Sequence, residues 1–130
     1  MEIATQLALF LDNRPGTLAR VCDTLGDAGI NIYALTTSDT VDHTVIRLLV
    51  SDTRRALLLI EERGTLVVET EVLLIEGDNK PGSLTDISHR LAKARINIEY
   101  CYMTTMPKSK KSLMVLRPSN AKKALKVLQS

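Results

Sequence analysis

DNRPGTLARVCDTLGDAGINI, residues 12–32, recurs in the chain as DNKPGSLTDISHRLAKARINI, residues 78–98. The register between the two copies is constant at 66 residues, about half of the aligned positions are identical, and most others exchange similar side chains. A repeat of this length can hold a strand, a turn, a helix and a second strand, so the pattern indicates that a small domain has been duplicated.

Each copy opens with a turn that leads into a helix. Proline has a fixed φ and no N–H, so we expect Pro15 and Pro81 at the first position of their helices. Apolar residues follow at helical spacing and indicate one buried face in each helix. The stripe comprises Leu18, Val21, Cys22, Leu25 and Ala28 in the first copy, and Leu84, Ile87, Leu91 and Ala94 in the second. Gly29 is typical of a helix C-terminus, whereas Arg95 at the same place in the second copy predicts a different ending.

The other apolar patterns complete two similar halves, residues 1–70 and 71–130. The first half reads strand, helix, strand, strand, helix, strand, and residues 69–71 are expected to separate its last strand from the next one. The second half reads the same way but reaches Ser130 without a last strand. With right-handed crossovers, each half predicts a ferredoxin-like α+β fold, βαββαβ, with an antiparallel sheet and helices on one face. The absent strand would leave a sheet edge open to another chain.

The composition is that of a soluble globular protein, with 45% hydrophobic and 25% charged residues. The N-terminal residues do not read as a signal peptide, and no apolar run nears the roughly 18 residues of a membrane span. Two cysteines do not make a disulfide framework, and the helical stripe places Cys22 in the core as a reduced thiol. These features predict a cytoplasmic protein.

Catalytic and metal-binding patterns are not evident in the sequence. His43 and His89 stand alone, no Cys/His spacing suits a metal, and no nucleophile–base set or carboxylate pair stands out. A net charge of +2 is too small to indicate nucleic-acid binding. We therefore expect a protein that is not an enzyme, that needs no cofactor or metal, and that binds neither nucleic acid nor membrane.

The charge is unevenly divided between the two halves. Residues 1–71 hold 6 Lys/Arg and 11 Asp/Glu, a net −5, whereas residues 72–130 hold 11 Lys/Arg and 4 Asp/Glu, a net +7. Opposite signs would help the halves, or two chains, to meet in one orientation. Drift of surface charge after duplication is an equally good explanation.

The repeated turn has the chemistry of a binding site. The backbone N–H groups of Gly16, Thr17 and Leu18 are expected to open a helix without intrahelical partners, and such groups favour an anion such as a carboxylate. Asn13 would offer a donor and an acceptor to a zwitterion at the rim of this site. The alternative is that Asn13 and Asn79 only build the turn, where Asn is common.

A second pair of asparagines supports the first interpretation. Asn31 and Asn97 each stand between two isoleucines at the start of an expected strand. Core packing does not favour a polar residue at such a position. The pairing of both motifs in both copies therefore shifts the balance towards a site.

Both copies resemble ACT domains, which are small ligand-sensing modules of amino-acid metabolism, and the whole chain resembles stand-alone tandem ACT proteins. The matching residues are Asn13, Pro15, Gly16, Leu18 and 29–32, and then Asn79, Pro81, Gly82, Leu84 and 96–98. The resemblance implies that an amino acid binds at an interface between ACT units, held by the strand-to-helix loop and by the Asn that opens the second strand. It implicates Asn13, Arg14, Pro15, Gly16, Thr17, Leu18 and Asn31, together with Asn79, Lys80, Pro81, Gly82, Ser83, Leu84 and Asn97.

The sequence also departs from some members of this family. Some serine-sensing members carry a His two residues before the loop Asn, where this chain has Leu11 and Gly77. An apolar amino acid, with a branched chain as the first choice, is therefore the better expectation.

Three functions are consistent with these residues. The first is a non-catalytic amino-acid sensor, a homodimer or a larger homo-oligomer, in which the ligand biases subunit packing. The second is a regulatory subunit that docks on a separate biosynthetic enzyme, as the small subunit of acetolactate synthase does. The third, an acylphosphatase-type enzyme on a similar fold, needs a Gly-rich phosphate cradle with an Arg, and Asn-Arg-Pro-Gly matches that poorly.

Overall fold

The computed structural model describes all 130 residues, Met1–Ser130. It contains six strands and four helices, and this confirms the predicted α+β class. The elements are β1 (Glu2–Asp12), α1 (Thr17–Asp27), β2 (Ile32–Asp39), β3 (His43–Val50), α2 (Thr53–Glu62), β4 (Leu66–Asp78), α3 (Ser83–Lys93), β5 (Ile98–Thr104), β6 (Lys111–Pro118) and α4 (Ala121–Gln129).

The chain divides into two compact units. The first unit is Thr5–Thr70, and the second unit is Glu71–Ser130 together with Met1–Ala4. In the first unit β3 lies between β1 and β2 and pairs antiparallel with both. In the second unit β6 lies between β4 and β5 in the same way. Each unit thus has the strand pairing of a ferredoxin-like fold, in which the first and second strands of the unit flank the third.

The N-terminal residues take part in the second unit. No strand follows α4, but Met1–Ala4 group with this unit and Ile3 packs against its core. The start of the chain thus contributes to the unit that the sequence left without a last strand.

The expected break at residues 69–71 is wrong, since β4 runs without interruption from Leu66 to Asp78. Glu-Thr-Glu contains no Gly or Pro, and nothing in these three residues prevents an extended backbone from continuing. The two strands that the sequence suggested are thus one strand of 13 residues.

Each unit has its own apolar core between the helices and one face of its strands. The first core is formed by Leu7, Leu9, Val21, Leu25, Ile30, Ile46, Leu48, Val50, Ala56 and Ile60. The second is formed by Leu73, Ile75, Leu91, Ile96, Met114, Leu116, Ala124 and Leu128. Leu25 and Leu91, which are equivalent in the repeat, are both fully buried.

The buried face of α1 differs from the expected stripe. Its buried residues are Thr17, Val21, Thr24 and Leu25, whereas Cys22 is exposed and Leu18 is 41% exposed. The prediction that Cys22 is a core thiol is therefore wrong. The true stripe uses threonines, whose short side chains fit beneath the helix but carry no hydrophobic signal in the sequence.

The two helices end alike, contrary to the expectation from Arg95. Gly29 and Arg95 both adopt a left-handed backbone, with φ of 73° and 59°. Ile30 N–H donates to the Leu25 carbonyl at 2.9 Å, and Ile96 N–H donates to the Leu91 carbonyl at 2.9 Å. The helix ending is thus set by these hydrogen bonds, and Arg95 adopts a conformation that costs a side chain about 1–2 kcal/mol.

Separate substitutions of Arg95 and Gly29 are expected to change the free energy of unfolding in opposite directions. Arg95→Gly should raise the free energy of unfolding by roughly 1 kcal/mol, because glycine adopts positive φ without steric strain. Gly29→Ala should lower it by a similar amount, although the space beside Gly29 is open. Urea unfolding of both variants and the parent measures this, and a destabilised Arg95→Gly protein would contradict it.

Truncation of the equivalent core leucines is expected to be costly in both units. Leu25→Ala and Leu91→Ala should each lower the free energy of unfolding by about 2–5 kcal/mol, because each leaves a cavity in a closed core. Leu58→Ala is the control, since Leu58 is 50% exposed and should cost less than about 1 kcal/mol. Chemical denaturation followed by circular dichroism tests this, and a Leu91→Ala effect as small as that of the control would contradict it.

Candidate ligand site at the strand-to-helix turns

A type II β-turn explains why Pro-Gly occurs in both copies. Thr17 N–H donates to the Arg14 carbonyl at 3.2 Å, and Gly16 between them has φ 87° and ψ −9°. These angles belong to the third position of a type II turn, where glycine is required, and proline favours the second position. Pro15 is thus a turn residue, and the prediction that it opens the helix is wrong.

The second copy builds the same turn. Ser83 N–H approaches the Lys80 carbonyl at 3.4 Å, and Gly82 has φ 89° and ψ −6°. The helices therefore begin at Thr17 and Ser83, two residues after the prolines. The expectation for Pro81 is wrong for the same reason as that for Pro15.

The turn uses one of the three amide hydrogens that were expected to be free. Thr17 N–H closes the turn, whereas Gly16 N–H and Leu18 N–H have no acceptor within the protein. The first intrahelical bond runs from Arg20 N–H to the Gly16 carbonyl at 3.0 Å. Two amide hydrogens at the start of α1 thus remain available to an anion.

The loop asparagines fasten each turn to a neighbouring hairpin. Asn13 Nδ2 donates to the Thr40 carbonyl at 3.0 Å, and Asn13 N–H donates to the Asp42 carbonyl at 2.9 Å. Thr40 and Asp42 lie in the loop between β2 and β3. Asn13 thus uses its N–H and one Nδ2 hydrogen within the protein, which leaves the second Nδ2 hydrogen and Oδ1 for a ligand.

Asn79 makes the corresponding contacts in the second unit. Its Nδ2 donates to the Ser109 carbonyl at 2.7 Å and to the Met106 carbonyl at 3.3 Å, and its N–H donates to the Lys110 carbonyl at 3.0 Å. The basic loop between β5 and β6 is thereby held against the turn. Turn building accounts for both asparagines without a ligand.

The first helical residue also has a structural role in both copies. Thr17 Oγ1 donates to the Asp12 carbonyl at 3.0 Å, and Ser83 Oγ donates to the Asp78 carbonyl at 2.8 Å. A hydroxyl at this position ties the helix start to the last residue of the preceding strand. This contact explains why Thr and Ser exchange here.

Asn31 lies far from the turn of its own unit. Residue pairing places Asp12 opposite His43 at the start of β3, and Ile32 opposite Val50 at its end. The length of β3, about 23 Å for eight residues, therefore separates Asn31 from Asn13. The sequence-predicted residues of one copy thus fall into two groups at opposite ends of the strands.

The backbone of Asn31 is occupied, and its side chain is exposed. Asn31 N–H donates to Ser51 Oγ at 2.8 Å, and its carbonyl accepts from Ser51 N–H at 2.9 Å. Asn97 and Ser119 form the same pair at 3.1 and 2.9 Å. The side-chain amides form no hydrogen bond within the protein.

A pocket of about 280 Å³ lies against the first turn. Four of the predicted residues line it, namely Asn13, Arg14, Thr17 and Leu18, together with Thr37, Asp39, Thr44 and Ile46 from β2 and β3. Arg14 is held by Asp12 at 3.2 Å in an exposed ion pair. The pocket therefore offers a guanidinium, a carboxylate, hydroxyl groups and two apolar side chains.

The residues from β2 and β3 were not among those predicted from the sequence. Thr37 and Asp39 are more than 20 positions from the turn along the chain, and no motif connects them to it. The polar run Thr-Thr-Ser-Asp at the end of β2, where a buried strand would be apolar, is the signal that marks them.

The second turn lines a different space. Lys80, Pro81, Gly82 and Ser83 border a groove of about 490 Å³, whereas Asn79 and Leu84 do not. This groove extends between α3 and α4 to Arg90 and Leu128. The two turns thus have the same backbone geometry, although the spaces that they border have different linings.

No group of three or more His, Cys, Asp or Glu side chains is placed to hold a metal ion. None of the helices combines the length and the apolar character that crossing a membrane would require.

Comparison with known proteins identifies the family. Residues 1–130 match the ACT domain pair. Among curated proteins, none matches the sequence.

Solved structures reproduce the fold. Protein BT0572 from Bacteroides thetaiotaomicron is 32% identical, with a TM-score of 0.92 over 98% of this chain and 87% of that chain. The regulatory subunit of aspartate kinase from Thermus thermophilus, in its ligand-free form, is 18% identical, with a TM-score of 0.71 over 99% of this chain and 96% of that one. The corresponding subunit from Thermus flavus is 17% identical, with a TM-score of 0.66 over 99% and 95%. The match over the full length, in agreement with the duplicated turn and the two ferredoxin-like units, means that this chain belongs to the ACT domain pair family.

Proposed function

We propose that the protein is a non-catalytic regulatory protein that binds a free amino acid at the turn between β1 and α1. The observation that carries this proposal is the pocket of about 280 Å³ at the first turn, where Arg14, Asp39 and Leu18 surround one space. An amino acid carries a carboxylate, an ammonium group and a side chain. The three residues supply a partner of suitable chemistry for each of these groups.

The ion pair of Arg14 does not prevent it from binding a ligand. Both Arg14 and Asp12 are more than 60% exposed, with side-chain exposures of 68% and 62%. Exposed pairs of this kind contribute only about 0–1 kcal/mol. A ligand carboxylate can therefore draw the guanidinium away at small cost, with the free N–H groups of Gly16 and Leu18 as further donors.

The lining of the pocket favours an apolar amino acid. Leu11, on which the sequence-based preference for such a ligand relied, borders a neighbouring space and not this pocket. Leu18 and Ile46 support the preference for an apolar amino acid instead, because both border the pocket at the turn. Leu18 is 41% exposed, and a ligand side chain packed on it would remove that apolar surface from water.

The position of Asn31 indicates how ligand binding would reach a second subunit. Asn31 is too far from Asn13 to contact the same ligand within one unit. If Asn31 takes part, as the resemblance to ACT domains implies, it approaches a turn that belongs to another ACT unit. A ligand held between two units would favour the packing that closes the site, which is how we propose that a homodimer or larger homo-oligomer signals.

Binding is expected to stabilise the folded protein. In a thermal-shift panel of the common amino acids, an apolar amino acid at about 100 times its Kd should stabilise the fold by about 2.7 kcal/mol. D-enantiomers of the same amino acids provide the control, since they have the same groups in a different arrangement. No shift with any amino acid would contradict the proposed function.

Charge removal tests the assignment to the first turn. Arg14→Gln and Asp39→Asn should each weaken amino-acid binding by about tenfold or more, because each removes one charge-assisted contact of roughly 1.5–3 kcal/mol. Lys80→Gln is the matched control, since Lys80 occupies the position of Arg14 in the second copy. Isothermal titration calorimetry measures all three, and equal affinities would place the ligand elsewhere.

The loop asparagines test which copy binds. Asn13→Ala and Asn79→Ala should each lower the free energy of unfolding by about 0.5–1.5 kcal/mol per hydrogen bond lost, because both hold a hairpin loop. Only Asn13→Ala should also weaken amino-acid binding, since Asn13 borders the proposed pocket and Asn79 does not border the groove at its turn. Titration of the amino acid into both folded variants measures which substitution lowers the affinity. A loss of binding confined to Asn79→Ala would assign the ligand to the second copy.

A second candidate is a regulatory subunit that docks on a separate biosynthetic enzyme. It is favoured by the match of fold to a chain described as the regulatory subunit of aspartate kinase. Its test is affinity purification from the source cell, followed by assays of aspartate kinase and acetolactate synthase activity in the eluate. An eluate that contains only homo-oligomers of this chain, without either activity, would eliminate this candidate.

A further inference from the structure

A second space in the first unit carries more positive charge than the pocket at the turn. This basic groove has a volume of about 330 Å³ and is bordered by Arg20, Arg63, Thr17, Thr24 and Thr65 around an apolar floor. Arg20 comes from α1, and Arg63 is the residue that ends α2. No acidic side chain borders the groove.

Neither arginine is neutralised within the protein. The five ion pairs of the chain include neither Arg20 nor Arg63. The only hydrogen bond of the Arg20 guanidinium is a long one, 3.5 Å from Nη2 to Thr17 Oγ1. Two positive charges therefore border one small space without a negative partner.

The exposed side chain of Arg20 lies where a bound anion would be favourable. Its Nη1 lies 3.7 Å from the position of a Cβ built on Gly16, so the guanidinium lies over the first turn of α1. The N-terminus of a helix carries partial positive charge, and α1 has no acidic residue in its first turn to offset it. An anion in the groove would interact favourably with both the guanidinium and the helix.

The second unit has an equivalent groove with different electrostatics. At the repeat interval of 66 residues, Asp86 replaces Arg20 and Arg90 replaces Thr24. Arg90 lies 4.0 Å from Asp86 and donates to the Val127 and Ser130 carbonyls, both at 2.7 Å. Arg90 is thus paired within the protein, whereas Arg20 and Arg63 of the first groove form no ion pair.

We propose that the basic groove binds a small dianion, a phosphate ester or a dicarboxylate, as a ligand distinct from the amino acid at the turn. Guanidinium groups bind phosphate and carboxylate through paired hydrogen bonds, and two of them suit two negative charges. The hydroxyl protons of Thr17 and Thr24 are donated to the Asp12 and Arg20 carbonyls, so Thr65 supplies the hydroxyl that remains free to donate. The apolar floor of Leu11, Val21 and Ile60 would contact the carbon part of such a ligand.

Binding of simple dianions is the direct test. Inorganic phosphate and succinate, titrated into the full-length protein at constant ionic strength, should bind in the groove and raise the melting temperature, whereas acetate should not. Arg20→Gln and Arg63→Gln should each lower the affinity for the dianion by about tenfold or more. A higher NaCl concentration should also lower the affinity for the dianion, because its ionic contacts with the arginines are partly open to solvent.

Arg54→Gln is the matched control, since Arg54 is an exposed arginine on α2 that does not border the groove. Tighter binding of phosphate would assign a phosphate ester, and tighter binding of succinate a dicarboxylate. Absence of binding by both dianions, or equal affinities in the Arg20, Arg63 and Arg54 variants, would overturn the proposal. Amino-acid binding should persist in Arg20→Gln and Arg63→Gln, so failure of this proposal and failure of the proposed function are separately visible.

Discussion

The hydrogen bond from a loop asparagine to a hairpin carbonyl holds the strand-to-helix turn of each unit against the neighbouring hairpin loop. In the first unit Asn13 Nδ2 reaches the Thr40 carbonyl at 3.0 Å across 27 positions of sequence. The two walls of the pocket come from the segments that this bond joins, with Arg14 and Leu18 on the turn and Asp39 at the end of β2. A pocket between two loops keeps its shape only if the loops are fixed to each other, so Asn13 would support the proposed site by holding the pocket walls together. Its turn-building role and a role in the proposed site are therefore compatible.

The sequence predicted the fold because the fold depends on patterns that are local and repeated. Helical spacing, Pro-Gly and the Ile-Asn-Ile strand start were sufficient for the class and for the element order apart from the break expected at residues 69–71. The same local patterns misplaced Pro15, because proline is favoured both in the first helical turn and in the second position of a β-turn. Only the backbone angles of Gly16, which belong to a type II turn, distinguish the two.

The site was harder to predict, because it brings together residues that are distant in the chain. Asp39 joins the turn through strand pairing, which no local motif encodes. Asn31 shows the converse. The repeated sequence motif suggested that it lies near Asn13, but strand pairing places it at the other end of β3. Exposed Leu18 is informative for a related reason. An apolar residue with helical spacing is expected to be buried, but Leu18 and its repeat equivalent Leu84 are 41% and 37% exposed, so helical spacing alone did not predict their environment.

The duplicated units conserve backbone geometry and vary the chemistry around it. Arg95 retains the left-handed conformation of Gly29 although a side chain disfavours it, because the hydrogen bonds that end the helix fix that position. The side chains that border the grooves have no such constraint, and Arg20 corresponds to Asp86 on an identical helix face. The difference between Arg20 and Asp86 changes the formal charge at this position by two elementary charges, whereas both units keep the same turn. Duplication of an ACT unit can thus preserve the architecture of a binding module while the two copies acquire different ligands, and the ligand of each copy has to be inferred from the residues outside the shared motif.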